Sequence, residues 1–246
     1  MSRSAKIASE RPFYASRADA YDTLITTPTG PWVKAVRSLI ISGGAILDAG
    51  CGSGRQAERL AALGYQLTIV DASPRLLAIA VARCPTARAE VADICAFDLG
   101  TQFDGVTCRG VLNDLVDDDE RAAALERLAA HVAPRGVLIL DVREAEASRR
   151  QADGVQHRRT VHRADGMMSF ESRTIWRDGL LIVDERTEST SDSGAPEVEN
   201  YQFTMRPWTV AELRIGLAAV GLGHVEIQPG IHGDAIDRLF VVARRG

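Results

Sequence analysis

From Ala45 to Leu140 two patterns alternate along the chain: short, nearly unbroken apolar runs, and longer segments in which apolar residues recur every three or four positions. Ala45-Ile-Leu, Leu67-Thr-Ile-Val, Phe103-Asp-Gly-Val-Thr-Cys and Pro134-Arg-Gly-Val-Leu-Ile-Leu are of the first kind, which suits strands buried on both faces of a parallel sheet. Residues 56–63, 72–82 and 121–132 are of the second kind and predict helices. Ser73 before Pro74 is a cap followed by proline at the first helical position, and Gly64 suits a helix end. The acidic run Asp117–Glu120 caps the helix that follows it and complements its positive end. Strands and helices alternating over this length predict an α/β fold: a doubly wound, mostly parallel, seven-stranded Rossmann-like sheet.

The flanks read differently. Residues 1–10 are polar and are expected to fray. Pro12–Asp22 predicts a helix with Tyr14 and Tyr21 seven positions apart on one face. Thr29–Trp32 predicts a turn, and residues 33–41 a helix leading into the first strand. Beyond Asp141, residues 156–162, 167–176, 180–188 and 198–206 alternate polar and apolar positions. Ala164-Asp-Gly and Arg177-Asp-Gly are tight-turn signals between them, so this stretch predicts antiparallel hairpins. Thr209 and Glu212 then form a capping box for a helix ending at Gly221. Residues 224–228 and 239–243 supply two last strands, expected to run antiparallel to the sheet's edge. The resulting division is an N-terminal helical lid (1–42), a core (43–145 with 207–246) and an antiparallel β insertion (146–206).

Composition narrows the classes. The 246 residues are enough for one large α/β domain, and a net charge of −4 argues against a nucleic-acid binder with a basic phosphate-facing surface. The four cysteines form no C-x-x-C pair and read as reduced core residues of a cytoplasmic protein. No apolar run approaches a membrane span. His157 and His162 fall on opposite faces of a strand, which argues against a metal pair, and no metal is expected.

The chemistry centres on Ile46-Leu-Asp-Ala-Gly-Cys-Gly-Ser-Gly-Arg55. A buried strand ends there in Gly50, Gly52 and Gly54, which let the backbone take positive φ and pass close to a ligand ahead of a helix. The G-x-G-x-G spacing differs from the G-x-G-x-x-G of a pyrophosphate site, and no P-loop pattern is present. Three acids at successive strand tips describe the ligand: Asp48 suits an amino acid's ammonium, Asp71 can accept both hydroxyls of a ribose, and Asp93 an adenine amine.

Those elements in order resemble the class I S-adenosylmethionine (SAM)-dependent methyltransferases over roughly residues 10–145. Ile46–Arg55 is similar to that family's first motif, Asp71 to its ribose acid, and Asp93-Ile94 to its adenine clamp. The resemblance implies SAM as cofactor, with Tyr14, Tyr21, Asp48, Gly50, Cys51, Gly52, Gly54, Arg55, Asp71, Ala72, Asp93, Ile94 and Arg109 around it. It also implies that the Tyr14–Tyr21 segment is a lid, where phenol rings attract the sulfonium.

Within the family the arrangement most resembles small-molecule enzymes of natural-product pathways, notably aminosugar N,N-dimethyltransferases. Phe13-Tyr14, the inserted strands and the Thr-x-x-Glu-Leu helix carry that likeness. Those sugar enzymes have a histidine where this sequence has Asp114, which departs from the pattern and leaves Asp114, with Tyr14, as the catalytic candidates. Asn113, Arg143, Trp176, Tyr201 and Arg206 are the candidate acceptor contacts, together with Phe203 and Trp208; each of the insertion's aromatics can equally belong to the hairpins' own core. The expected reaction is methyl transfer to an amine nitrogen of a small molecule. An O-methyltransferase, including one with Mg²⁺ between Asp114 and Asp141, and a non-catalytic SAM-binding regulator are the alternatives. The expected assembly is a homodimer through the insertion, with no nucleic-acid or membrane partner.

Overall fold

The computed structural model describes the chain apart from residues 25–26, 164–165, 192–195 and 232–235. The Ala164-Asp165 part of the first hairpin turn therefore lies outside the described residues. The first ten residues are not frayed. Ser2 caps a helix, α1 (Arg3–Glu10), by accepting from the Ala5 N–H, and Ser4 and Ala8, one turn apart, are its buried positions. The single helix expected over 12–22 is two pieces, a 3₁₀ turn at Pro12–Tyr14 and α2 (Ala18–Leu24). The break has a tertiary cause: Phe13 is drawn into an apolar cluster with Met168 and Leu24, and the Ser73 hydroxyl donates to the Tyr14 carbonyl.

Then α3 (Gly30–Leu39) leads into β1 (Ala45–Ala49), α4 (Arg55–Ala61), β2 (Gln66–Asp71), α5 (Pro74–Arg83) and β3 (Arg88–Val91). β4 (Phe103–Arg109), α6 (Asp118–Ala130) and β5 (Val132–Arg143) complete the alternation. The caps are as expected: the Ser73 hydroxyl accepts from the Leu76 N–H, and the Asp117 carboxylate from Asp119 and Glu120. After α7 (Ala145–Gln151) come β6 (Asp153–Arg163), β7 (Gly166–Arg177), β8 (Leu180–Ser191) and β9 (Glu197–Met205), then α8 (Val210–Ala219), β10 (His224–Pro229) and β11 (Arg238–Arg244).

The main sheet has seven strands in the order β10-β11-β5-β4-β1-β2-β3, with β1 to β5 parallel. β11 is antiparallel to β5, and β10 is antiparallel to β11. Of the two last strands, then, only β11 runs against the sheet; β10 returns to the common direction. Alternate residues of β5 serve opposite faces: Leu138 and Leu140 pack with Leu125, Leu128, Leu213 and Leu217 of α6 and α8, and Ile139 with Trp32, Leu60 and Leu77 of α3, α4 and α5. This doubly wound core turns the carboxyl ends of β1, β2, β4 and β5 toward one edge, where open α/β sheets hold their ligands.

The second sheet, β6-β7-β8-β9, is antiparallel throughout. Its β7–β8 turn has positive φ at both Asp178 (51°) and Gly179 (83°), the I′ geometry that matches strand twist. One face, carrying Met168, Phe170, Glu185, Tyr201 and Phe203, is laid over α2 and the 3₁₀ turn. The other bears a charged ladder in which Glu171 meets Arg158 and Arg186, and Arg186 meets Glu188. Both ends of this excursion are fastened side by side, with Trp208 donating its N–H to Arg143 O at 2.8 Å and Ala145 to Trp208 O at 2.9 Å.

Candidate active site

At the end of β1 the backbone takes φ of 73°, 57° and 77° at Gly50, Gly52 and Gly54. Gly54 is the N-cap of α4, so the turn opens directly onto a helix terminus. A side chain at Gly50 would put its Cβ 2.2 Å from Val111 Cγ2. Asp71 at the tip of β2 holds the turn: its Oδ2 accepts from the Gly52 N–H and its Oδ1 from the Ser73 N–H, both at 2.8 Å. Burial pushes its carboxyl up against those two bonds. Asp48 is buried within the sheet, where the Thr107 hydroxyl donates to it at 2.8 Å, and burial raises its carboxyl to about 6.

In front of this turn lies a cavity lined among others by Tyr14, Tyr21, Asp71, Ile94, Arg109 and Asp114. A second hollow shares Tyr21, Gly50, Gly52 and Arg109 with it and extends past Asp48 toward Arg143 and Arg238 over the ends of β4, β5 and β11. Tyr14 and Tyr21 meet edge-on at 5.3 Å although they belong to different elements. Burial pushes both phenols up, Tyr21 to about 12, so both remain protonated hydrogen-bonding groups at neutral pH. The Tyr21 segment is tied to the glycine turn through Asp22, which takes Arg83 at 2.7 and 2.9 Å and the Ser53 hydroxyl at 2.6 Å.

Arg55 begins α4, and Cys51 is buried within the turn, where burial raises its thiol. Ala72 and Ile94 line the first cavity. Asp93 stands just behind it: its Oδ1 accepts from the Cys95 N–H and its Oδ2 from the Ala5 N–H at 3.2 Å, so the N-terminus of α1 docks on this carboxylate.

The residues expected to contact an acceptor are placed differently from the sequence expectation. Asn113 is buried with both ends of its amide on backbone: Oδ1 accepts from the Arg143 N–H at 2.8 Å and Nδ2 donates to Gly110 O. It therefore shapes the loop that carries Asp114. Arg143 lines the second hollow and pairs with Asp237. Arg206 is outside both hollows; it bonds Val116 O, Asp118 and Glu212, stapling the end of β9 to α6 and α8. Trp208 is core, covered by the Arg121 guanidinium at 3.4 Å. Trp176 pairs with Leu181 at the end of the second sheet nearest its junction with the core, and lines neither hollow. Tyr201 reaches the lid instead, edge-on to Phe13 at 5.9 Å, with its hydroxyl on Glu185.

Two residues that carried no signal in the sequence stand at the centre of this side. Arg11 places Nη1 2.8 Å from Asp114 Oδ1, with its guanidinium 4.3 Å from the Tyr14 ring and 3.7 Å from the Phe203 ring. Glu185 of β8 sits beside them, its carboxyl raised by burial. Burial also raises Asp114, although Arg11 pulls the other way. Asp141 is engaged by Arg238, so each acid proposed for Mg²⁺ has its own arginine. Among the described residues no cluster of three acidic, histidine or cysteine side chains is arranged for a metal, and no helix is long and apolar enough to cross a membrane.

A glycine turn held at positive φ, with the strand-tip acid Asp71 bonded to it, opens at the carboxyl edge of the main sheet. With the seven-stranded, doubly wound sheet this arrangement resembles that of the class I SAM-dependent methyltransferases. Residues 46–136 match the family described as "Methyltransferase domain".

Its similarity to particular proteins points further. The solved structure of an amino pentose methyltransferase from Micromonospora echinaspora, bound to SAM and involved in calicheamicin biosynthesis, is 26% identical, with a TM-score of 0.78 over 93% of this chain and 96% of that one. A dTDP-4-amino-2,3,4,6-tetradeoxy-D-glucose N,N-dimethyltransferase of Saccharopolyspora spinosa is 31% identical over 50% of this chain and 53% of its own length. A ubiquinone biosynthesis O-methyltransferase of Xanthomonas oryzae pv. oryzae is 33% identical over 42% and 44%. The chain spans about half or less of the length of the curated relatives it matches.

Proposed function

We propose that the protein methylates the amine nitrogen of a small, sugar-like acceptor. The observation that carries this reading is Asp114, a carboxylate buried in the wall of the cofactor cavity at the point where lid, core and second sheet meet. Bound SAM supplies a methyl group activated by its positive sulfur. The protein's part is placement: holding a nucleophile about 3 Å from that carbon, in line with the leaving sulfur, is worth several kcal/mol. An alkylamine with a pKa near 10 is almost wholly protonated at neutral pH and lacks the lone pair that attacks. Asp114 can take an N–H hydrogen bond, orient the nitrogen and receive its proton. The Tyr14 and Tyr21 phenols, kept neutral by burial, present ring faces and hydroxyls without adding charge. Tyr201 acts from further out, through the Tyr201–Glu185 pair under the lid.

The likeness to aminosugar N-methyltransferases, in sequence and over nearly the whole fold, supports the nitrogen acceptor. The O-methyltransferase relative supports a second reading, in which the same carboxylate deprotonates a hydroxyl. Incubation with SAM and dTDP-4-amino-2,3,4,6-tetradeoxy-D-glucose, beside its 4-hydroxy analogue, separates the two by mass spectrometry. Mass gains of one and two methyl groups on the amine alone are expected; methylation of the hydroxy analogue alone would replace this reading with the second.

A further inference from the structure

We propose that Arg11 is a positioning residue that keeps Asp114 ionised and oriented, fixing Oδ1 and leaving Oδ2 to meet the acceptor. Asp114 has been buried among groups of both signs. Arg11 from the N-terminal segment, Arg143 of β5 and Arg238 of β11 favour its charge; Glu185 of β8 is the acid beside it, and the Tyr14 and Tyr21 phenols facing it are neutral. Of these, Arg11 alone is hydrogen-bonded to it, at 2.8 Å. Burial of a carboxylate drives it toward its neutral form, and a directly bonded cation opposes that.

The geometry of Arg11 is built rather than incidental. Its guanidinium lies against two aromatic rings, Tyr14 of the lid and Phe203 of β9, and its Nε is buried with no hydrogen-bond partner. Burying an unpartnered donor is unfavourable, so the aromatic contacts and the ion pair must hold the group where it is. The consequence for an amine acceptor is specific. A bare buried carboxylate would stabilise the ammonium form, which cannot attack. A carboxylate already paired to Arg11 holds an N–H without locking the nitrogen in its protonated state. The second sheet thereby enters the electrostatics of the reaction, through Phe203 and Glu185, and not only the shape of the pocket.

This use of Asp114 rests on the amine reading; the charge of Asp114 does not, and can be measured without any acceptor. In SAM-bound protein labelled with ¹³C at aspartate carboxyl carbons, and with Asp114→Asn to assign the signal, the wild-type Asp114 resonance should titrate below neutral pH. Arg11→Met should raise that midpoint by about one to three pH units, and Arg11→Lys should restore most of it. Arg11→Gln serves as a second neutral variant should the methionine side chain disturb the lid, with SAM binding confirming that each variant is folded. A wild-type midpoint above neutral pH overturns the proposal without any variant, and so does an unmoved midpoint in a folded Arg11→Met or Arg11→Gln protein. With the dTDP-aminosugar above as acceptor, the acidic limb of kcat/KM should move up with the carboxyl midpoint. Absence of turnover with an intact titration shift would count against the acceptor reading alone.

Discussion

The two halves of the site are built by different means. On the cofactor side, Gly50, Gly52, Asp48 and Asp71 sit on the tips of adjacent strands, and their positions follow from sheet register and backbone hydrogen bonds within a few residues or one strand away. On the proposed acceptor side, Arg11, Asp114, Glu185 and Phe203 come from the N-terminus, the loop after β4 and the second sheet, and contacts between distant segments bring them together: the Arg11–Asp114 ion pair, the Arg11–Phe203 contact and the Arg206 N–H on Asn113 O. The first kind of site is rigid because the core is rigid; the second exists only when lid and second sheet are both in place. Substitutions should therefore damage the two halves in different ways.

The largest effect is expected at Gly50. Alanine there must hold φ near 73° and push Cβ into Val111, a combined strain and overpacking penalty of about 3 kcal/mol. Calorimetric titration should show SAM binding lost and thermal unfolding should show a lowered Tm; a variant binding SAM normally would mean the turn is more plastic than described.

Asp48 gives the next effect, and one of opposite sign. Its carboxyl sits near 6 when folded against an ordinary value of 3.8, so the folded chain holds that proton more firmly than the unfolded one. Ligand-free stability from this group is therefore full below about pH 4 and is lost as pH rises to about 6, a difference of roughly 3 kcal/mol at neutral pH. Asp48→Asn should raise the ligand-free Tm at neutral pH, leave it nearly unchanged near pH 4, and weaken SAM binding. An equal Tm shift at both pH values would remove burial of charge as the cause.

The smallest effect lies at the boundary between lid and second sheet. Arg17 reaches Glu197 at 2.8 Å and Glu199 at 3.1 Å, partly in solvent. Arg17→Met should cost no more than about 1 kcal/mol and raise the SAM dissociation rate a few-fold, and added salt should mimic it in the wild-type protein. A loss as large as that at Gly50 would show that the lid is integral to the cofactor half after all.

The same division explains what could be read from the residues alone. The strand-turn-helix at Ile46–Arg55, the Ser73 and Asp117 caps, the Thr209–Glu212 capping box and the Asp178-Gly179 turn are local, with cause and consequence within about four residues. The N-terminal segment was harder: Tyr14 and Tyr21 do suit one helix face, but burial of Phe13 and the Ser73 bond break that helix between them. α1 shows only Ser2 and the Ser4/Ala8 spacing, too little against its polar composition. Arg11 carries no local signal at all, since Asp114 is 103 positions away in sequence. Arg206 and Trp208 looked like pocket residues because aromatic and basic side chains in an insertion suggest one, whereas the ends of a sheet also need staples.

Those staples bear on how such a protein can change. Trp208 and Arg143 hold the exit and return of the second sheet against each other, so the excursion between them leaves and rejoins the core side by side. A segment attached in that way can be exchanged for another of different length or lining without shifting β5 or β11. New acceptors can then be acquired by replacing one contiguous stretch of gene while the cofactor turn, encoded outside that stretch, is inherited untouched.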